Sequence, residues 1–151
     1  MTSGSWKDSV FILSWDESGG FFDHVPPHTI ASPDGGLPID LQGSPTPDIC
    51  WQSGGVNPNP YCAFRYTGYR VPVIVVSPFT KKNYVSNEAM DYTSILKFIE
   101  TRFGITDYLT DRDRNAPDMT DFFDFASAPW AIPPTPPAQS TSAPCYLDHL
   151  P

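Results

Sequence analysis

The sequence predicts an α/β fold. Three observations predict it: a short apolar run at 9–15, "SVFILSW"; a nearly continuous β-branched run at 71–77, "VPVIVVS"; and an amphipathic segment at 92–103, "YTSILKFIETRF". Strand, crossover, strand and helix in that order is an α/β pattern.

The first run is too short for a helix and is bounded by polar residues, so it reads as a buried strand. Asp16 and Glu17 follow directly, and Gly19 and Gly20 then break regular structure. Residues 29–67 are rich in Pro, Gly, Ser and Asn and read as a long variable loop or insertion. In the second run, β-branched residues suggest burial on both faces, as in a parallel or mixed central sheet. Pro72 sits near its start, where a missing N–H is tolerated, and Pro78 ends it.

In the helix, Tyr92, Ile95, Leu96, Ile99 and Phe103 share one face, and Phe98 widens the stripe. Asp91 is the expected N-cap, and Gly104 the residue just past the helix end. "LTDRDRNAPDM", 109–119, alternates charges and reads as a surface segment with a turn. Its ion pairs should contribute only about 0–1 kcal/mol each. "MTDFFDF", 119–125, reads as a short helical turn that anchors its phenylalanines. From 129 to 151 the chain is a Pro-rich tail, expected to be extended, disordered or wrapped over the surface.

The 151 residues are 40% hydrophobic and 14% aromatic, a globular composition. The formal net charge is −8, and no Lys/Arg cluster stands out. Nucleic-acid binding relies on basic groups that release counterions, so no nucleic-acid partner is expected. Docking on an anionic membrane surface is disfavoured for the same reason. There is no transmembrane segment, since no apolar run approaches ~18 residues. The first residues show no signal-peptide pattern.

Cys50, Cys62 and Cys145 form no C-x-x-C pair. Cys50 and Cys62 bracket a loop that a disulfide would staple by roughly 3 kcal/mol. Three free thiols are the alternative, because such a bond needs an oxidising compartment.

The residues with chemistry on offer are few. In open α/β sheets ligands bind beyond the carboxyl ends of strands. Asp16 and Glu17 stand at such an end, and a bend at the glycines would bring both carboxylates to one cation. A solvated polar turn is the plain alternative. Asp23 with His24 and His28 suits acid/base or ligand chemistry, yet also suits an ordinary loop. His149 lies in the tail. Arg65 and Arg70 precede the second strand and suit either phosphate or a nearby acid. No G-x-S-x-G and no P-loop is present.

Four motifs follow one another: "VFILSWDESGGFFDHVPP", "GYRVPVIVVSPF", "YTSILKFIETRFGI" and "LTDRDRNAPDMTDFFDF". Together, over roughly 8–126, they resemble the C-terminal part of the bacterial phosphoesterase family that includes non-specific phospholipases C and related acid phosphatases. The resemblance implies that 1–128 is the C-terminal portion of an alkaline-phosphatase-like three-layer α/β/α fold with long irregular loops. It implies hydrolysis of a phosphate ester, either a phospholipid or a phosphomonoester, with one divalent metal ion. Asp16 and Glu17 then supply two of the metal's ligands, and Asp23 and His24 stand behind them. The family's Ser/Thr nucleophile and its other ligands come from the N-terminal part. No matching motif occurs here, so no catalytic nucleophile is assigned in this chain, and an incomplete domain, inactive alone, is expected. Asn87 and Tyr92 stand where the family often has histidine. The resemblance also suggests an exported or periplasmic protein. Two other functions stay open: a non-catalytic binding fragment, and a structural Ca²⁺ held by Asp16, Glu17 and Asp23.

Overall fold

The structure, a computed structural model, describes residues 1, 3–34 and 64–138. Cys50, Cys62, Cys145 and His149 therefore lie outside the described residues. A single 3-10 turn at Trp6–Asp8 leads into strand β1, Phe11–Ser14. Strand β2 is Val73–Val76. The two pair antiparallel, with Phe11 opposite Val76 and Ser14 opposite Val73. Pro72 thus precedes β2, and its carbonyl accepts a hydrogen bond from the Ser14 hydroxyl at 3.0 Å.

This pairing rules out a purely parallel partner for β2 and is compatible with a mixed sheet; the expected burial on both faces is corrected, since Val73 and Ile74 are exposed. Opposed residues of an antiparallel pair share a face, so Phe11, Leu13, Ile74 and Val76 stand together. That face is half open: Phe11 is 58% exposed and Ile74 47%. An apolar run records what a strand is able to bury, and the burial itself depends on a second layer. Among the described residues no such layer covers these strands.

The loop between the strands closes at its base. Thr29 and Tyr66 form an antiparallel bridge, and the Ile30 and Thr67 N–H groups donate to the carbonyls of Arg65 and His28. This bridge ties the two ends of the 29–67 segment together; residues 35–63 lie outside the described ones.

Helix α1 is Thr93–Phe103. The Asp91 carboxylate accepts a hydrogen bond from the Thr93 N–H at 2.7 Å, the expected capping role, although Tyr92 is the flanking residue. Gly104 ends the helix in the left-handed conformation at φ 66°, its N–H bonded to the Glu100 carbonyl. The expected packing face holds only in part, at Phe98, which stacks on Phe123, and at the half-buried Ile95. Tyr92, Leu96 and Ile99 are exposed, and Phe103 is 70% exposed. The inner side instead carries Ser94, Phe98 and Glu100, with Ser94 and Glu100 buried. Periodicity located the helix correctly, but the partner surface took up only part of the expected stripe.

The charged segment holds a second helix, α2, Asp111–Asn115. Its Thr110 hydroxyl accepts from the backbone at Asp113, and the Asp113 carboxylate accepts from the Thr110 N–H, a capping box. The surface-segment reading is corrected at Asp113, which is 1% exposed. Burial acts to raise its pKa. Hydrogen bonds from the Thr110 hydroxyl, the Leu109 and Thr110 N–H groups and Glu100 outweigh that and lower it to about 2. Only Arg114 and Asp111, at 2.8 Å, form the expected exposed local pair.

The core lies between α1, the end of β2 and 119–125. Phe123 stacks on Phe98 at 5.0 Å and on Phe125 at 5.1 Å between ring centres. Met119 and Phe123 are buried. Thr80 bridges Phe123, and the Asp124 N–H donates to the Phe79 carbonyl at 2.7 Å. A 3-10 turn at Thr120–Phe122 matches the short helical turn expected there. The start of the tail is fastened down: the Trp130 N–H donates to the Pro78 carbonyl, and the Trp6 indole donates to the Trp130 carbonyl.

Candidate active site

Asp16 and Glu17 leave the carboxyl end of β1 into a tight turn. The Phe21 N–H returns to the Ser18 carbonyl, and Gly19 and Gly20 between them have φ of 65° and 75°. Positive φ at both central positions favours glycine, which is why two of them follow the acids. The Glu17 N–H donates to Asp16 Oδ1 at 3.0 Å, and the Gly19 N–H donates to Glu17 Oε2 at 2.9 Å. Each carboxylate thus spends one oxygen on holding the turn. Asp16 Oδ2 and Glu17 Oε1 keep their lone pairs free of hydrogen bonds among the described residues.

Both residues line a cleft of about 1050 Å³, together with Arg70, Asp91, Tyr92 and Arg112. His28 and Asn87 also border it. The Tyr92 hydroxyl reaches from the start of α1 and donates to the main-chain carbonyls of Trp15 and Asp16, the latter at 2.9 Å. Arg112 ties three segments to the same region. Its Nε donates to the Ala31 carbonyl at 3.0 Å, its Nη2 donates to the Phe64 carbonyl, and the guanidinium stands 3.8 Å from Asp91. Nothing in the sequence marks Arg112 for this role, because in a run of alternating charges no residue is distinguished as the one that turns inward.

Asp23 is not brought to Asp16 and Glu17. Its side chain is 12% exposed and both oxygens are taken by Arg70, Nε to Oδ2 at 2.7 Å and Nη2 to Oδ1 at 2.8 Å. Arg70 holds the Asp23 carboxyl well below the usual carboxylate range, and the Val25 N–H adds to this. The idea of a Ca²⁺ held by all three acids is therefore corrected: among the described residues no group of three or more His, Cys, Asp or Glu side chains converges. His24 points to solvent, its Nδ1 3.6 Å from Asp23 Oδ1. Arg70 answers the choice left open by its position, being paired with an acid. Arg65 is exposed and contributes its carbonyl to the loop base.

Two hard oxygen donors on adjacent residues that line one cleft, each with an uncommitted oxygen, fit a divalent cation in kind. Further ligands would have to come from outside this set.

Residues 1–106 match the Phosphoesterase family. The chain belongs to that family. Its relatives include phospholipase C A of Mycobacterium tuberculosis, 39% identical over 126 residues, which covers 82% of this chain and 23% of the relative. The hemolytic phospholipase C of Pseudomonas aeruginosa is 36% identical over 82% of this chain and 16% of its own length. The non-specific phospholipase C1 of Arabidopsis thaliana is 29% identical over 85% of this chain and 23% of its own. The chain thus spans less than a quarter of the length of these phosphoesterase relatives. Family membership is consistent with an α/β fold. The carboxylate turn, the Arg70–Asp23 pair and the Tyr92 contact all fall within the matched residues, whereas α2 and the Phe123 core lie beyond them.

Proposed function

We propose that this chain supplies the carboxylate part of a divalent-metal site to a phosphate-ester hydrolase of phospholipase C type, built on an alkaline-phosphatase-like α/β/α fold. Asp16 and Glu17 are the metal ligands. The observation that carries this reading is their shared position just past the end of β1, where both residues line one cleft and each keeps one carboxylate oxygen without a hydrogen bond among the described residues. A bound metal ion would polarise a phosphoryl oxygen and favour attack on phosphorus. The chain's own part is to hold two negative charges in fixed directions and to brace them. Arg70 and Asp23 brace the far end of the turn, and Arg112 the cleft wall. The Ser/Thr nucleophile and the other ligands are assigned to sequence outside these 151 residues, in keeping with the share of each relative that the chain spans.

The test is hydrolysis of p-nitrophenyl phosphate and of phosphatidylcholine. It is run on the chain alone and on the chain co-expressed with the region preceding the match in the Mycobacterium phospholipase C A. Turnover is expected only in the second case. Asp16→Asn and Glu17→Gln are each expected to lower it by about two orders of magnitude or more, as loss of a charge-stabilising group does. Undiminished turnover in both variants would remove the assignment.

A further inference from the structure

The contact between Tyr92 and the end of β1 has a consequence for the acids beside it. The Tyr92 hydroxyl carries one proton and shares it between two acceptors, the carbonyls of Trp15 and Asp16. Those carbonyls belong to the peptide planes on either side of the Asp16 Cα. Each plane is rigid, and only φ and ψ of Asp16 turn one against the other. Anchoring both planes to one hydroxyl therefore limits both torsions, and with them the direction of the Asp16 side chain. The opposite edge of the second plane is the Glu17 N–H, which donates to Asp16 Oδ1 at 3.0 Å. The link then runs on to the Glu17 carboxylate, held by the Gly19 N–H at 2.9 Å.

We propose that Tyr92 is the positioning residue of the Asp16–Glu17 turn: its hydroxyl, anchored at the start of α1, sets the direction in which both carboxylates leave β1. The proposal rests on the reading of those carboxylates as the working groups of the site. It joins the helix to the strand end by one phenol, with no need for Tyr92 to touch a substrate. Loosening this one bond should free the turn while leaving α1 intact, because the helix has its own caps at Asp91 and Gly104.

The test compares the 151-residue chain with its Tyr92→Phe variant, which keeps the ring and removes only the hydroxyl. Amide hydrogen exchange is read at Glu17 and Gly19, with Ile105, whose N–H bonds to the Glu100 carbonyl, as the distant reference. Exchange at Glu17 and Gly19 is expected to rise about five-fold with Ile105 unchanged, the effect of one ordinary hydrogen bond. Affinity for Mn²⁺, titrated into the chain co-expressed with the region that supplies the other ligands, is expected to fall by a similar factor. Unchanged exchange at Glu17 and Gly19 overturns the proposal. So does an equal rise at Ile105, which would mark Tyr92 as a general stabiliser. A co-expressed wild-type assembly that takes up no Mn²⁺ counts against the metal reading, and the exchange measurement still decides the role of Tyr92.

Discussion

Arg70 grips Asp23 with two parallel hydrogen bonds, at 2.7 and 2.8 Å, and adds a third from its own backbone N–H at 3.4 Å. This joins the end of the glycine turn to the segment entering β2. The planar guanidinium matches a carboxylate in a way a lysine does not. Asp23 is therefore an anchor for the site and is removed from its ligand set.

The anchor predicts a pH dependence. The Asp23 carboxyl lies below its ordinary value of 3.8, mainly through Arg70. A group with a depressed pKa stabilises the fold fully above its unfolded value, and that contribution is lost as pH falls through the folded value. Asp23→Asn is thus expected to melt at lower temperature than wild type near neutrality. The difference should begin to shrink as the pH falls below about 4 and go on shrinking to about 2 and beyond. Thermal melts across that range check it, and a difference that does not change with pH would refute it. Arg70→Lys is expected to fall between the two, since it keeps the charge and loses the fork.

The Glu100 carboxyl group predicts the opposite slope. Burial pushes the Glu100 pKa up from 4.5, and the neighbouring Asp113 carboxylate pushes it further, by hydrogen bond and by charge; Lys97 opposes this. A raised acid stabilises the fold in its protonated form, so its contribution is lost as pH rises above 4.5. Glu100→Gln keeps the shape and cannot ionise. Its stability is expected to exceed that of wild type increasingly as pH rises above 4.5, until the raised carboxyl is ionised in the folded protein too. Denaturation midpoints at several pH values measure this. Equal slopes for the two proteins would exclude it.

Phe123 is expected to be the most sensitive apolar position. It is 5% exposed and sandwiched between Phe98 and Phe125. Phe123→Ala should cost about 3 kcal/mol or more, the usual loss for a buried phenylalanine. Urea denaturation of the chain reads it directly. Phe103→Ala, on the exposed flank of α1, is the matched control and should change stability little in this chain.

Gly104 isolates a backbone effect. Nothing lies within 4 Å of where its Cβ would stand, so Gly104→Ala meets no clash. The remaining penalty is the left-handed φ alone, about 1 kcal/mol. A loss well above that in the same urea experiment would show that the helix end is held by more than its conformation.

Local features were legible because their causes are local. The glycines at 19 and 20 announce a break and a bend, Asp91 announces a helix start and Gly104 its end, and all four act as read. Asp16 and Glu17 were legible as the end of a strand for the same reason. The antiparallel pairing of β1 and β2 was not, since a β-branched run fits either direction of partner. Nor was the capture of Asp23 by Arg70, 47 positions away, because like acids in one short stretch look alike until a distant cation selects one.

The sequence by itself determined the two strands, the helix with its caps, the turn after the acids and, through the order of its motifs, the phosphoesterase family. These follow from short-range sterics and hydrogen bonding, which each stretch carries within itself. Only the tertiary structure decided which face of α1 packs, that Asp113 is buried while Asp111 is exposed, that Asp23 serves Arg70, and that Tyr92 holds the peptides flanking Asp16. Each of these depends on a partner far off in the chain, and a side chain's charge or polarity says nothing about which partner will arrive.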